Sequence, residues 1–272
     1  MEAQLDYGNW IRKKNLLILG LCALGIGMLA FIPLGSLYRL IVITLFAIIL
    51  VSFLFPLYAY VMFSQKGGRL QEKVYNLIIQ SLGADVKGKV LDIGSGNGVL
   101  AAKLAQQHSE IEVVGLDYWG EDWEYSKSVC EKNAQTAKVE NRVHFQKGDA
   151  AKLDFASETF DGAISNLTFH EVKSAADKRS VVQEALRVVK SGGTFAFIDY
   201  FYDAKYYGDK LEFENFLKGL NLTQFEYKPL RDLIAIPALL NHPKILGKVG
   251  IIYGRKQMHK TEKPQHSVPE VN

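Results

Sequence analysis

A doubly wound α/β domain with a mostly parallel sheet, preceded by two membrane-spanning helices, is the architecture this chain of 272 residues predicts. Three observations predict it. Two long stretches near the N-terminus, 15–38 and 40–65, carry no charged residue. Beyond them strand-like and helix-like stretches alternate, a pattern that builds a parallel sheet covered by helices on both faces. The first strand-like stretch ends in a glycine-rich turn that leads directly into a helix.

Composition bounds the function classes. At 48% hydrophobic and 22% charged residues, the chain is too apolar for a disordered protein and too charged for a polytopic membrane protein. A mean hydropathy of +0.01 is high for a soluble enzyme, and the first 64 residues account for it. The net charge of +3 argues against bulk nucleic-acid binding. Cys22 and Cys130 lie far apart, so neither a disulfide framework nor a cysteine metal site can be built from them.

Residues 1–64 read as a membrane hairpin with spans at about 15–33 and 38–58. A helix needs roughly 20 apolar residues to cross the hydrocarbon core, and both runs approach that length. A cleaved signal peptide is the rival reading of the first run, but its apolar core exceeds the roughly 7–15 residues of such a segment and a second run follows. Pro33, Leu34, Gly35 and Ser36 form a short link that returns both outer ends to one side. Arg12, Lys13 and Lys14 precede the hairpin, Lys66, Arg69 and Lys73 follow it, and Arg39 alone sits in the link. That bias places both termini, and everything after the hairpin, in the cytoplasm. Tyr7, Trp10, Tyr58 and Tyr60 suit interfacial aromatic belts.

Residues 65–256 form the second unit. The stretch 69–82 reads as an amphipathic helix with Leu70, Val74, Leu77 and Ile78 on one face. Strands are expected at 89–93, 111–116, 142–146, 162–165 and 193–199, with helices at 99–107 and 124–137 among the intervening stretches, and further strands at 222–227 and 249–253. Residues 257–272, with Pro264 and Pro269 among polar neighbours, read as a disordered tail.

The sharpest motif is Asp92-Ile93-Gly94-Ser95-Gly96-Asn97-Gly98, between a strand and a helix. Glycines there let a ligand approach the main chain at a helix N-terminus. A nicotinamide-dinucleotide loop would need glycine at position 99, which is Val99, and no phosphate loop with Gly-Lys-Ser/Thr occurs. The pattern resembles motif I of the class I S-adenosylmethionine-dependent methyltransferases. Further pieces follow in that family's order: Val113-Val114-Gly115-Leu116-Asp117, Gly148-Asp149-Ala150, Phe160-Asp161-Gly162 through Asn166, and Leu186 through Thr194. The resemblance covers about residues 70–256 and is nearest to the small-molecule group that includes quinone and sterol methyltransferases. It implies a Rossmann-like sheet whose last strand is antiparallel, with S-adenosyl-L-methionine as the cofactor. It also implies that Asp92, Gly94, Ser95, Gly96, Gly98, Asp117, Tyr118, Asp149, Ala150 and Asn166 bind the cofactor. In that carry-over Asp117 takes the ribose diol, Asp149 meets the adenine amino group and Tyr118 lies on the adenine ring.

Methyl transfer needs orientation and exclusion of water, and a base only where the acceptor carries a proton. Candidates for the chemistry are His170 and Asn166, because ligands of open α/β sheets bind at the carboxyl ends of parallel strands. His170 is either a general base, since imidazole titrates near neutral pH, or a structural hydrogen-bonded histidine. Position 174 is Ser174, so His170-Glu171 does not extend to a metal motif, and no bound metal is expected. Ile234, Leu239 and their apolar neighbours, flanked by Lys228, Arg231 and Lys244, form either a membrane-dipping rim or a buried cap helix. The expected enzyme is a membrane-anchored methyltransferase acting on a small or lipid-like acceptor. A soluble thiol or metalloid acceptor, and a non-catalytic membrane interaction protein, stay as alternatives.

Overall fold

The computed structural model describes residues 4–33, 35–120 and 124–258. Strands β1 (Gly88–Ile93), β2 (Ile111–Asp117), β3 (Val143–Lys147), β4 (Phe160–Asn166), β5 (Val189–Asp199), β6 (Leu222–Pro229) and β7 (Gly250–Lys256) form one sheet in the order β3-β2-β1-β4-β5-β7-β6. The first five pair in parallel, and β7 runs antiparallel to both β5 and β6. The helices are α1 (Lys13–Leu29), α2 (Ser36–Phe63), α3 (Leu70–Leu82), α4 (Val99–Gln107), α5 (Lys127–Thr136), α6 (Lys178–Arg187), α7 (Ala204–Tyr207) and α8 (Lys210–Gly219).

The strand period of two sends alternate side chains to opposite faces, and both faces are dry. On one, Val90, Val113, Ile164, Ala196 and Ile251 pack against α3, α4 and α5. On the other, Leu91, Ala163, Phe195, Phe197 and Ile252 pack against α6 and α8. Helix α3 carries Leu70, Val74 and Ile78 into the first core, on the face its periodicity predicts.

Two element ends differ from expectation for identifiable reasons. Strand β5 begins at Val189, because a register shift against β4 between Phe160 and Gly162 takes Ser191, Gly192 and Gly193 into the strand as a bulge. Helix α5 begins at Lys127, where the Ser126 hydroxyl caps it by accepting the Val129 N–H at 3.4 Å.

Helices α1 and α2 lie side by side, with the Phe53 and Phe46 rings set against Gly20 and Gly27. Small residues at such a seam let aromatic rings approach the neighbouring backbone. Their remaining surface exposes Leu17, Leu24, Leu40, Ile48 and Leu54. Of the two expected spans, α2 with 28 residues is long and apolar enough to cross a membrane. Helix α1 has 17 residues, short of the roughly 20 that a crossing takes. Helix α2 also runs past the expected end at 58 to Phe63, and its Ala59 and Phe63 join the first core beside Leu70 and Val74.

The 230–243 stretch is not the buried cap helix that was one of its two expected forms. It opens as a 3₁₀ turn, Leu230–Asp232, and continues in turns that bury Leu230 and Leu240 and leave Leu239 60% exposed. Ile234 is half-buried against the first core. Of the expected tail, residues 259–272 lie outside the described residues.

Candidate active site

The site grows from the carboxyl ends of β1, β2, β4 and β5. Past β1, Gly94, Gly96 and Gly98 all take positive φ. At Gly94 only glycine fits, because a Cβ would fall onto the Thr168 side chain. The Gly94 and Ser95 amides donate to the Leu116 carbonyl at 2.7 and 3.1 Å, which ties the loop to β2. Trp119, itself at φ +41°, donates its indole N–H to the Gly96 carbonyl at 3.0 Å. The Cys130 thiol donates to the same oxygen at 3.1 Å. Burial and the nearby Asp117 and Asp92 charges push that thiol far up, so Cys130 supports the loop and is no nucleophile.

Two acids face the loop. Asp117 accepts the Gly96 amide at 2.8 Å on one oxygen and the Trp119 amide at 2.8 Å on the other. Burial raises its pKa, and these backbone donors oppose the rise. Asp92 is 1% exposed, and neither carboxylate oxygen has a hydrogen-bond partner among the described residues. The neighbouring Ser95 hydroxyl donates instead to the Asp92 carbonyl at 3.1 Å. Burial pushes the Asp92 carboxyl up to about 7, against the pull of Ser95 and with the Asp117 charge adding to the rise. A buried acid left in this state is matched to a cationic ligand.

Beyond β3, Asp149 accepts the Ala151 amide at 2.9 Å in a tight turn beside buried Ala150. Tyr118 is 64% exposed and its ring is covered by the Lys147 ammonium at 5.0 Å. Past β4, Leu167 adopts φ +52° and swings the chain into the short turn Phe169–Glu171. That turn sets His170 against the end of β5. Asp199, fully buried, accepts from the His170 amide at 3.1 Å and lies 2.6 Å from His170 Nδ1. The other ring nitrogen is 3.4 Å from Glu171 Oε1. Burial opposes the charged ring, but the Asp199 charge and hydrogen bond, helped by Glu171, override it and push His170 up to about 9. The side chain of Asn166 leaves its buried Oδ1 without a partner among the described residues.

One cavity of about 740 Å3 connects these groups, the size of a cofactor site. Every residue assigned from sequence to cofactor binding or catalysis lines it except Gly98, which lies under Phe145 as the N-cap of α4. A nucleoside with a cationic amino-acid tail would fit this lining, with the Asp117 carboxylate suited to a diol, the buried, unpartnered Asp92 carboxylate to a cation, and Gly94 and Gly96 leaving the main chain open to approach. Sequence reasoning missed Asp199, which sits 29 residues from His170 and reaches it only because β4 and β5 are neighbours. It also placed Tyr7 and Trp10 at a membrane interface. Instead Tyr7 stacks on Tyr75 at 5.8 Å, Trp10 lies 5.0 Å from Phe63, and both line the cavity.

A family model described as "Methyltransferase domain" matches residues 84–235. The arsenite methyltransferase of Aquipseudomonas alcaligenes is 33% identical over 135 residues, 48% of this chain and 38% of that protein. The rRNA N(6)-adenosine-methyltransferase metl-5 of Caenorhabditis elegans is 29% identical over 127 residues, 46% of this chain and 57% of its own length. The chain thus spans about half the length, or less, of these curated relatives. Geranyl diphosphate C-methyltransferase from Streptomyces coelicolor A3(2), solved with S-adenosyl-L-homocysteine, superposes with a TM-score of 0.54 at 13% identity, over 70% of this chain and 80% of that one. That likeness establishes the fold.

Proposed function

The chain belongs to the methyltransferase-domain family, and from that premise we propose that it is a membrane-anchored S-adenosylmethionine-dependent methyltransferase of a small or lipophilic acceptor. One observation carries the reading: a single cavity joins the glycine loop and Asp117 to His170, which Asp199 backs from behind the lining at 2.6 Å. The cofactor supplies a methyl group already activated on a sulfonium, so the protein's share is binding, orientation and exclusion of water.

In this reading Asp117 accepts both ribose hydroxyls from a position fixed by the Gly96 and Trp119 amides. Asp149 takes the adenine amino group, and Gly94, Ser95, Gly96 and Ala150 shape the walls. Gly98 sets the start of α4. Asn166 offers its unpartnered carbonyl oxygen at the seam between cofactor and acceptor. His170, with a pKa near 9, holds a proton at neutral pH and presents a charged donor to an acceptor oxygen. In this reading His170 acts as a charged donor rather than as the general base considered from sequence, since the Asp199 pairing favours the charged ring.

The hairpin of residues 1–64 is read as the anchor. The long apolar helix α2 and the basic flanks at Arg12, Lys13, Lys14, Lys66 and Arg69 support it, with both termini and the catalytic unit 65–256 on the cytoplasmic side. The seam of α1 against α2 supports α1 as the second span. The exposed apolar surface of these helices has no described protein partner to cover it and suits lipid.

Calorimetry on the full chain in detergent tests the cofactor assignment. S-adenosylhomocysteine binds the wild type, and Asp117→Ala weakens it by about one to two decades, the worth of a charge-assisted acceptor. Absence of binding to the folded wild type would overturn the functional reading.

A further inference from the structure

Residues 4–12 precede α1 without regular secondary structure, and Leu5, Tyr7, Trp10 and Ile11 pack against the first core. They are held on two sides. On the glycine-loop side, buried Asn133 of α5 accepts the Asp6 amide at 2.8 Å and donates to the Asp6 carbonyl at 2.9 Å and the Asn97 carbonyl at 2.8 Å. One amide group therefore clamps this segment to the loop that forms the cofactor cradle. Asn97 itself donates to the Asp6 carbonyl at 3.3 Å. Gly8, at φ +61°, lies so close that a Cβ would meet the Tyr125 ring at 2.9 Å.

On the other side, the Asn9 amide donates to the carbonyl of Tyr60 in the last turns of α2 at 3.0 Å. Buried Gln71 accepts the Trp10 indole N–H at 3.1 Å and donates to the Phe63 carbonyl. Between these anchors Tyr7 stacks on Tyr75, Trp10 meets the Tyr75 edge at 6.4 Å, and all three rings line the cavity that also contains Asp92. Burial raises the Tyr75 phenol, and neighbouring Tyr125, Asp92 and Tyr7 add to the rise. Tyr7, Trp10 and Tyr75 thus share with Asp92 the lining of one cavity, which also includes Asp149 and Ala150.

We propose that residues 6–10 are a wall of the cofactor site, in which Tyr7 and Trp10 join Tyr75 and Asp92 to hold the cationic amino-acid end of S-adenosylmethionine. The proposal rests on the reading of this cavity as the cofactor site. Ring faces attract desolvated cations, and both the ammonium and the sulfonium belong to that end of the molecule. Because the wall leads into α1 at Lys13 and is tied to the end of α2, it makes cofactor retention depend on how the hairpin sits.

The test uses the full chain in phosphatidylcholine nanodiscs and two probes: S-adenosylhomocysteine, and 5′-methylthioadenosine, which keeps the nucleoside thioether but lacks the amino-acid end. Trp10→Ala and Tyr7→Ala each weaken S-adenosylhomocysteine about tenfold and leave methylthioadenosine within about twofold, and Trp10→Phe recovers most of the loss. Unchanged S-adenosylhomocysteine affinity overturns the wall, as does equal weakening of both probes, which would mean a loosened glycine loop. Hydrogen exchange on the wild type carries the test if the alanine variants unfold. Saturating S-adenosylhomocysteine slows exchange of the Asp6, Gly8 and Ile11 amides, and no slowing overturns the proposal. A folded wild type that binds neither probe would overturn the cofactor reading and this proposal together, whereas a wild type that binds beside unaffected variants sinks the wall alone.

Discussion

His170 and Asp199 show how one pairing changes the chemistry available at a site. Asp199 is buried and accepts three donors, the His170 amide and ring and the Tyr200 amide at 2.6 Å. The raised imidazole therefore stays charged below about pH 9 and loses its proton as pH rises through that value. If His170 works as a charged donor, turnover holds from neutral pH and falls as pH rises through about 9. Asp199→Asn removes the main charge that holds the proton, so the falling limb moves to lower pH, toward the ordinary histidine value. A pH–rate profile of both proteins decides this, and a wild-type rate that climbs up to about 9 would restore the base. The acids and glycines of the site were legible because each stands in a short contiguous motif at a strand end. Asp199, Tyr75, Tyr7 and Trp10 were not, because what gives them meaning is a neighbour brought in by the sheet or by the N-terminal segment.

At the scale of elements, alternation of strand-like and helix-like stretches was enough to read the five parallel strands, since buried parallel strands are short apolar runs punctuated by glycine and polar turns, while the antiparallel pair β6 and β7 was read with the help of the family resemblance. The β5 bulge escaped because Ser191, Gly192 and Gly193 spell a turn locally and become strand only by pairing with β4. The 230–243 stretch escaped for a related reason. Its apolar residues read as one block, yet the turns bury Leu240 and expose Leu239. The two neighbours therefore answer differently to a charge. Leu240→Asp buries an unpaired carboxylate and costs at least 3 kcal/mol or so, with a large drop in Tm. Leu239→Asp leaves Tm unchanged and, if this rim meets lipid, reduces turnover of a lipophilic acceptor presented in vesicles. Melting curves and vesicle assays on both variants check it, and full activity of Leu239→Asp on the vesicle-borne acceptor would place the rim in water.

For the whole molecule, the sequence separates an apolar N-terminal segment, residues 1–64, from a remainder of soluble composition, and the structure joins the two more closely than composition suggests. Phe63 and Ala59 of α2 sit in the first core, and residues 4–12 reach the glycine loop. An anchor that only tethered would need neither contact. Under the proposed function, this joined unit methylates an acceptor that partitions into the membrane. The most direct measurement of that transfer follows labelled methyl from S-adenosylmethionine, using the full chain in nanodiscs incubated with organic-soluble and aqueous cell extracts in parallel. Label is expected in the organic-soluble fraction, strongly reduced by Asp117→Ala. Label confined to aqueous small molecules or to RNA, or no transfer by a chain that binds S-adenosylhomocysteine normally, would contradict it.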